Sequence, residues 1–314
     1  MRDKARLPPP PPPPPKPKSL TGQRTNSQSQ SQSSPSRKSK RGLGWPWDSA
    51  ASQFKLYTPY YSTGRISWVF NWELWVPESI PPDIEWIPCV RTAANAKDID
   101  AFLTDIIFGR GIKTEALLGF NEPEISDQAN LSVGAAVDLW RNVLAAKTKF
   151  GLRIGSPGMS SDVSRSVPWL TDFLSRLNGD DGIDFLVVHW YGPRFEDFRT
   201  FLEHMHSTFK LPVWVNEFAC STMGNGEASQ DEVMAFMDEA LPWLDRCEWV
   251  ERYAYYGHGQ HKDVGSWVGR ASNFTESAVE EPPSPPPPGT TSTTSTVVSD
   301  ARRLSRVGRH YCEL

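Results

Sequence analysis

The sequence predicts a (β/α)8 barrel followed and preceded by low-complexity segments. Eight short apolar runs recur between Arg41 and Gly257, each ending in small or polar residues. Helical stripes lie between most of them. Several runs are apolar without alternation, as parallel strands covered on both faces should be. Strand–helix alternation at this repeat is the pattern of that barrel.

The expected strands are Arg41–Asp48, Ser67–Glu73, Glu85–Arg91, Ala116–Glu122, Arg153–Pro157, Asp184–Tyr191, Pro212–Glu217 and Arg252–Gly257. Between strands 2 and 3, three prolines from Pro77 to Pro82 leave little room for a helix. Ile99, Phe102, Leu103, Ile106 and Ile107 then form an apolar stripe closed by Gly109. Val133, Ala136, Val137, Trp140, Val143 and Leu144 form another, closed by Gly151. A third runs through Trp169, Leu170, Phe173, Leu174 and Leu177, with Pro168 near its first turn. Phe198, Phe201, Leu202 and Met205 make a fourth. Ser229-Gln230-Asp231-Glu232 is a capping box that opens a fifth.

Residues 1–40 are a polyproline run, then Ser/Gln repeats, then basic residues, and they read as a disordered tail. The domain proper is expected over 41–314. A Pro/Gly/Ser/Thr run at about 277–298 reads as a disordered insertion, and Ser299–Leu314 reads as a final helix docking on the barrel. Ten Lys or Arg against one acid lie in residues 1–41, so the net charge of −4 leaves the rest strongly acidic. Such a body is not expected to bind nucleic acid. No apolar run is long enough to span a bilayer. No apolar stretch follows Met1-Arg2-Asp3-Lys4, so a secretory signal is not seen. The four cysteines match no zinc spacing and are too sparse for a disulfide framework, though one bridge is possible. His258 and His261 lack a third ligand, and neither metal nor cofactor is expected.

Glu122 ends strand 4 in Gly119-Phe120-Asn121-Glu122-Pro123, and Glu217 ends strand 7 in Trp214-Val215-Asn216-Glu217. A barrel gathers its chemistry at the C-terminal strand ends. Two carboxylates facing each other there can cleave a glycosidic bond. Glu124 and Glu73 are lesser rivals, Glu124 being assigned to a cap or loop. Asn121 is placed to bond a sugar hydroxyl. Trp45 and Trp47 end strand 1, Asn71, Trp72 and Trp75 lie at the end of strand 2, Trp190 and Tyr191 end strand 6, and Tyr255 and Tyr256 lie in strand 8, Tyr255 being the one expected at the substrate. Flat aromatic faces stack on pyranose rings, while Trp N–H and Tyr O–H groups reach hydroxyls. About half of these aromatics are expected to be packing instead, since strand side chains alternate in direction. Tyr191 is placed to donate to Glu217, and His189 either lines the cleft or is a satisfied buried histidine.

Taken together, Gly42-Leu43-Gly44-Trp45-Pro46-Trp47-Asp48, Phe70-Asn71-Trp72, Asn121-Glu122-Pro123-Glu124, His189-Trp190-Tyr191-Gly192 and Asn216-Glu217-Phe218-Ala219 resemble family 128 of the glycoside hydrolases, in its fungal alkali-sensitive-linkage type. The resemblance covers about residues 40–270 and the last dozen. It implies a metal-independent, retaining hydrolase of β-1,3-glucan, expected to act in endo fashion as a monomer, secreted or in the cell wall. Glu122 would be the acid/base and Glu217 the nucleophile. The alternative is a glucan-binding barrel that does not cleave. Arg91-Thr92 stands where the resemblance leads one to expect Trp or Gly, and Asn216 where it leads one to expect Thr.

Overall fold

A computed structural model of the chain describes residues 39–259, 267–278 and 302–314. The expected tail, apart from its last two residues, and the expected insertion, apart from its first two, lie outside the described residues.

All eight expected strands form, in one parallel sheet. They are β1 (Arg41–Gly44), β2 (Trp68–Phe70), β3 (Glu85–Ile87), β4 (Ala116–Leu117), β5 (Arg153–Met159), β6 (Phe185–Gly192), β7 (Val213–Cys220) and β8 (Val250–Tyr255). The spatial order runs β3-β2-β1-β8-β7-β6-β5-β4. A parallel bridge between Cys89 and Leu118 brings the two ends together, and the Val90 amide donates to the Leu118 carbonyl at 2.9 Å. The result is the (β/α)8 barrel.

The helices are α1 (Thr58–Ser62), α2 (Ala93–Phe102), α3 (Val133–Phe150), α4 (Val163–Leu177), α5 (Phe195–Phe209), α6 (Gln230–Arg246) and α7 (Arg306–Glu313). Local chemistry sets their ends. Thr92 with Asn95, and Ser229 with Glu232, close capping boxes on α2 and α6. Gly151 ends α3 in the left-handed conformation. Helix α4 begins five residues before Pro168 because Asp162 caps it, so the proline sits inside the helix rather than in its first turn. The segment expected as one final helix divides. Arg302–Leu304 pairs antiparallel with Thr275–Ser277, and only then does α7 begin, capped by Ser305. Helix α7 docks on β1, where the Tyr311 hydroxyl donates to the Gly42 carbonyl at 2.8 Å. All four cysteines are unpaired.

The strands carry two cores. One set of side chains fills the barrel interior: Trp68 and Phe70 from β2, Phe185 and Val187 from β6, Trp214 from β7 and Ala254 from β8. Their neighbours of opposite parity, Val69, Leu186, Val188, Val213, Val215, Tyr253 and Tyr255, pack outward under the helices. Gly42 makes the interior packing possible, since a Cβ there would lie 2.3 Å from the Trp68 ring.

The bottom of the barrel is closed by a charge. The Arg252 guanidinium lies 4.4 Å from the Trp214 ring centroid and 5.6 Å from that of Trp68. It pairs with Glu85 at 2.8 Å and also with Glu115. Burial raises the Glu85 carboxyl above its usual range, and Arg252 opposes that shift. Arg252→Ala is expected to destabilise the fold by about 3–5 kcal/mol, because it strands the buried Glu85 carboxylate. Urea unfolding measures this directly; a change below about 1 kcal/mol, the scale of an exposed ion pair, contradicts it. No described helix is long and apolar enough to cross a membrane.

Candidate active site

The side-chain parity that fills the interior continues upward to the barrel mouth. On β6, Phe185 and Val187 point inward, and His189 and Tyr191 follow in the same register. On β7, Trp214 points inward, so a regular strand would turn Asn216 inward and Glu217 outward. Pairing shows why this does not happen. Val187 faces Trp214, but His189 faces Glu217, so three steps on β7 match two on β6. This bulge resets the parity and aims Glu217 at the mouth beside His189.

Glu217 then accepts a hydrogen bond on each oxygen. The Trp72 indole N–H donates to Oε2 at 2.6 Å, and the Tyr191 hydroxyl donates to Oε1. Two donors on one carboxyl match an ionised, acceptor-only group. Burial, and next the Glu217 charge, raise the Tyr191 phenol well above its ordinary pKa, so it stays a donor.

Glu122 stands opposite. Its φ is +45°, a left-handed conformation rare for a residue with a side chain, and such strain concentrates at functional sites. The backbone on either side fixes it: its amide donates to the Gly158 carbonyl at 2.8 Å, and its carbonyl accepts from the Ile125 amide at 3.0 Å. His189 Nδ1 lies 2.8 Å from Glu122 Oε1 and 3.8 Å from Glu217 Oε2. One ligating atom from each of the three residues lies within 4.8 Å of the others. The carboxyl side chains are only 12% and 11% exposed, so the pair works largely out of water. Burial alone would lower the His189 pKa, but the Glu217 charge and the bond to Glu122 outweigh it and lift it to about 9. A proton is therefore held into the alkaline range where the imidazole meets Glu122, between the two carboxyls. Glu124 turns away and accepts from the Ser160 amide at 2.8 Å.

A cleft of about 330 Å³ opens above this cluster. Trp47, Trp72 and Tyr256 give it aromatic faces, and Asn71, Asn121 and Gln128 give it amides. Glu217, Asp48, Glu73 and Arg91 complete its charged lining. An aromatic and polar cleft around two close carboxyls is built for carbohydrate.

The sequence model of the family described as glycosyl hydrolase catalytic core matches residues 42–278. The chain belongs to that family. Within it, the resemblance to glycoside hydrolase family 128 and the β-1,3-glucanase type recurs in individual relatives. Alkali-sensitive linkage protein 1 of Schizosaccharomyces pombe is 27% identical over 226 residues, which are 71% of this chain and 40% of that protein. The chain thus spans well under half the length of that curated relative. A family 128 (subgroup III) curdlan-specific exo-β-1,3-glucanase from Blastomyces gilchristii, solved with glucose, is 27% identical, with a TM-score of 0.62, and covers 88% of this chain and 98% of its own. A subgroup I endo-β-1,3-glucanase from Amycolatopsis mediterranei, solved with laminaritriose, shares the fold at 20% identity, a TM-score of 0.63, and coverage of 87% and 98%.

The structure sorts the expected site residues by parity. Glu122, Glu217, His189 and Tyr191 meet at the mouth with Trp72, while Trp47 and Asn121 line the cleft. Asn71 lines it too, but its amide is spent on the backbone, donating to the Trp45 carbonyl and accepting from the Glu73 amide at 2.7 Å. His189 is 1% exposed and holds the carboxyls rather than facing solvent. Trp45 is fully buried, stacked between Phe54 and His258, and has no face left for a sugar. Trp190 packs outward on Phe198 and Phe201 of α5. Tyr255 is buried, its hydroxyl bonded to Ser272 and to the Cys220 amide. Tyr256, the next residue, takes the place in the cleft expected of Tyr255, with its ring centroid 5.3 Å from that of Trp72. The structure turns Ala254 to the interior, and a residue two further on shares its side. Gln128 and Asp48 are additional lining residues that strand-end reasoning passed over, and Arg91, the departure noted at the end of strand 3, lines the cleft with them.

Proposed function

We propose that the chain hydrolyses β-1,3-glucan by a retaining, two-glutamate double displacement. The observation that carries this reading is the approach of Glu122 and Glu217 oxygens to within 4.8 Å across the mouth. Retaining enzymes hold their carboxyls about 5–5.5 Å apart, whereas inverting enzymes leave about 6.5–9.5 Å for a water. Glu217, fixed by Trp72 and Tyr191, attacks the anomeric carbon as the bond to the leaving oxygen breaks. Glu122 gives its proton to that oxygen. It then takes a proton from water, whose oxygen displaces Glu217 and restores the original configuration. Glu122 and His189 hold the transferable proton between them across 2.8 Å. The substrate reading is supported by family 128 glucanases solved with laminari-oligosaccharides. Endo action belongs to the same reading, supported by Trp47, which is 67% exposed at the cleft rim and offers an open stacking face.

The deciding experiment is proton NMR of the anomeric signal during early digestion of laminarin, with reducing ends counted in parallel. The expected first product is the β-anomer, accompanied by oligosaccharides of mixed length. An α-anomer first product rules out retention, a single short product rules out endo action, and glucan binding without reducing-end release establishes the non-cleaving barrel instead.

A further inference from the structure

We propose that Arg91, clamped by Glu73, is a specificity-determining residue that grips hydroxyls of a neutral glucosyl unit bound in the cleft at Glu217. This deepens the glucan-hydrolase reading and rests on it. Glu217 lines the cleft, with Glu122 beside it. A nucleophile touches the sugar whose anomeric carbon is attacked, while the acid touches the leaving group. The attacked glucosyl unit therefore sits in this cleft, and Arg91 and Glu73 form part of its wall.

Their geometry suits recognition better than stability. Arg91 Nη1 lies 2.8 Å from Glu73 Oε1, with the two side chains 33% and 36% exposed. An ion pair this open contributes about 0–1 kcal/mol to folding. A guanidinium has five N–H donors in a rigid fork, so Glu73 orients the group and leaves further donors for a ligand. The backbone holds Arg91 firmly. Its carbonyl accepts from the Asn121 amide at 3.1 Å, and Thr92 caps α2 immediately after it. The Arg91 backbone is thereby anchored one strand away from Asn121 and Glu122, and Glu73 aims its guanidinium. Charge narrows the ligand. The carboxylates of Asp48, Glu73 and Glu217 outnumber Arg91 in the lining, which disfavours uronate or sulfated sugars and leaves neutral hydroxyls as the acceptors.

The test is laminaritriose binding by calorimetry in a Glu217→Gln background, with and without Arg91→Ala or Arg91→Lys. Lysine keeps the ion pair with Glu73 but loses the fork. Both substitutions are expected to weaken binding about tenfold, the scale of one hydrogen bond to a charged donor. Arg91→Lys binding as tightly as the Glu217→Gln parent overturns the proposal, because the residue would then serve only the ion pair. Unchanged binding by Arg91→Ala overturns it as well. If Arg91→Ala fails to fold, Arg91→Lys decides alone. Failure of the unsubstituted protein to release reducing ends counts against hydrolysis but leaves the binding series to judge Arg91. Absence of laminaritriose binding in the Glu217→Gln parent overturns both.

Discussion

Glu217→Gln is expected to lower laminarin hydrolysis by about 10⁴-fold or more, the scale seen when an enzyme loses its covalent nucleophile. Glutamine keeps the side-chain volume and removes the attacking charge. It also sets an NH2 group against the Trp72 N–H and Tyr191 O–H, both donors to this site, so one of those bonds is lost too. Glu122→Ala is expected to act differently. Loss of general acid–base catalysis costs about 10²–10⁴-fold on glucan. It costs far less in the first step with an aryl glucoside whose leaving group needs no proton. The glycosyl-enzyme then accumulates, because no base activates water, and added azide should discharge it as the β-glucosyl azide. In a Glu217→Ala protein, azide attacks the substrate directly and should give the α-azide. Each product reports one role. An α-azide from Glu122→Ala would exchange the assignments, and full activity in Glu217→Gln would remove the double displacement altogether.

The barrel was legible because its signals are repeated. Eight apolar runs and the helical stripes between them agree with each other, and one mistaken segment could not change the fold. The final segment shows the limit. Arg302–Leu304 becomes a strand because Thr275–Ser277 offers it an edge, a tertiary fact that no local period records. The carboxyl pair was legible for a similar reason, since both glutamates end strands whose ordinal positions face each other. The aromatics were harder. Trp45, Trp190 and Tyr255 sit at strand ends like Trp72 and Tyr191, and only the direction of the side chain separates the two groups. Direction follows from parity, and parity was partly written in the sequence: Gly42 and Gly44 turn inward where Trp68 and Trp72 need the space, which leaves Leu43 and Trp45 outward. What no parity rule reaches is the β7 bulge. Counting from Trp214 gives Glu217 the wrong face, and it is the extra residue opposite β6 that corrects it. The open conformation of Glu122, at positive φ before a proline, was equally hidden, because proline ordinarily holds the preceding residue in extended backbone.

His189 is the residue on which both carboxyls converge, so its removal is expected to have the next largest effect. Replacing it with Asn should lower kcat on laminarin by about 10²-fold, the lower range for a proton-transfer contribution, and change KM little. The loss should shrink on an aryl glucoside with a good leaving group, because His189 acts through the Glu122 proton across 2.8 Å and not on the sugar itself. Two pH effects follow from its raised pKa of about 9. The alkaline limb of the activity profile should move to lower pH in the variant, since the group that holds the shared proton into the alkaline range is gone. Stability should respond in a definite direction. A histidine whose folded pKa lies above its unfolded value of about 6.5 contributes stability that is fully present below that value and is lost as pH rises through the folded pKa. Thermal midpoints of the parent should therefore fall between about pH 6.5 and 9 relative to those of His189→Asn. Gly158→Ala offers an independent route to the same group. A Cβ there would stand 2.8 Å from His189 Nε2, so the ring must shift, and Glu122 loses its partner without any change to a titrating residue. If His189 positions the proton, Gly158→Ala reproduces the leaving-group dependence of His189→Asn while retaining the histidine. Equal losses on both substrate classes would mean that the imidazole only supports the packing of the mouth.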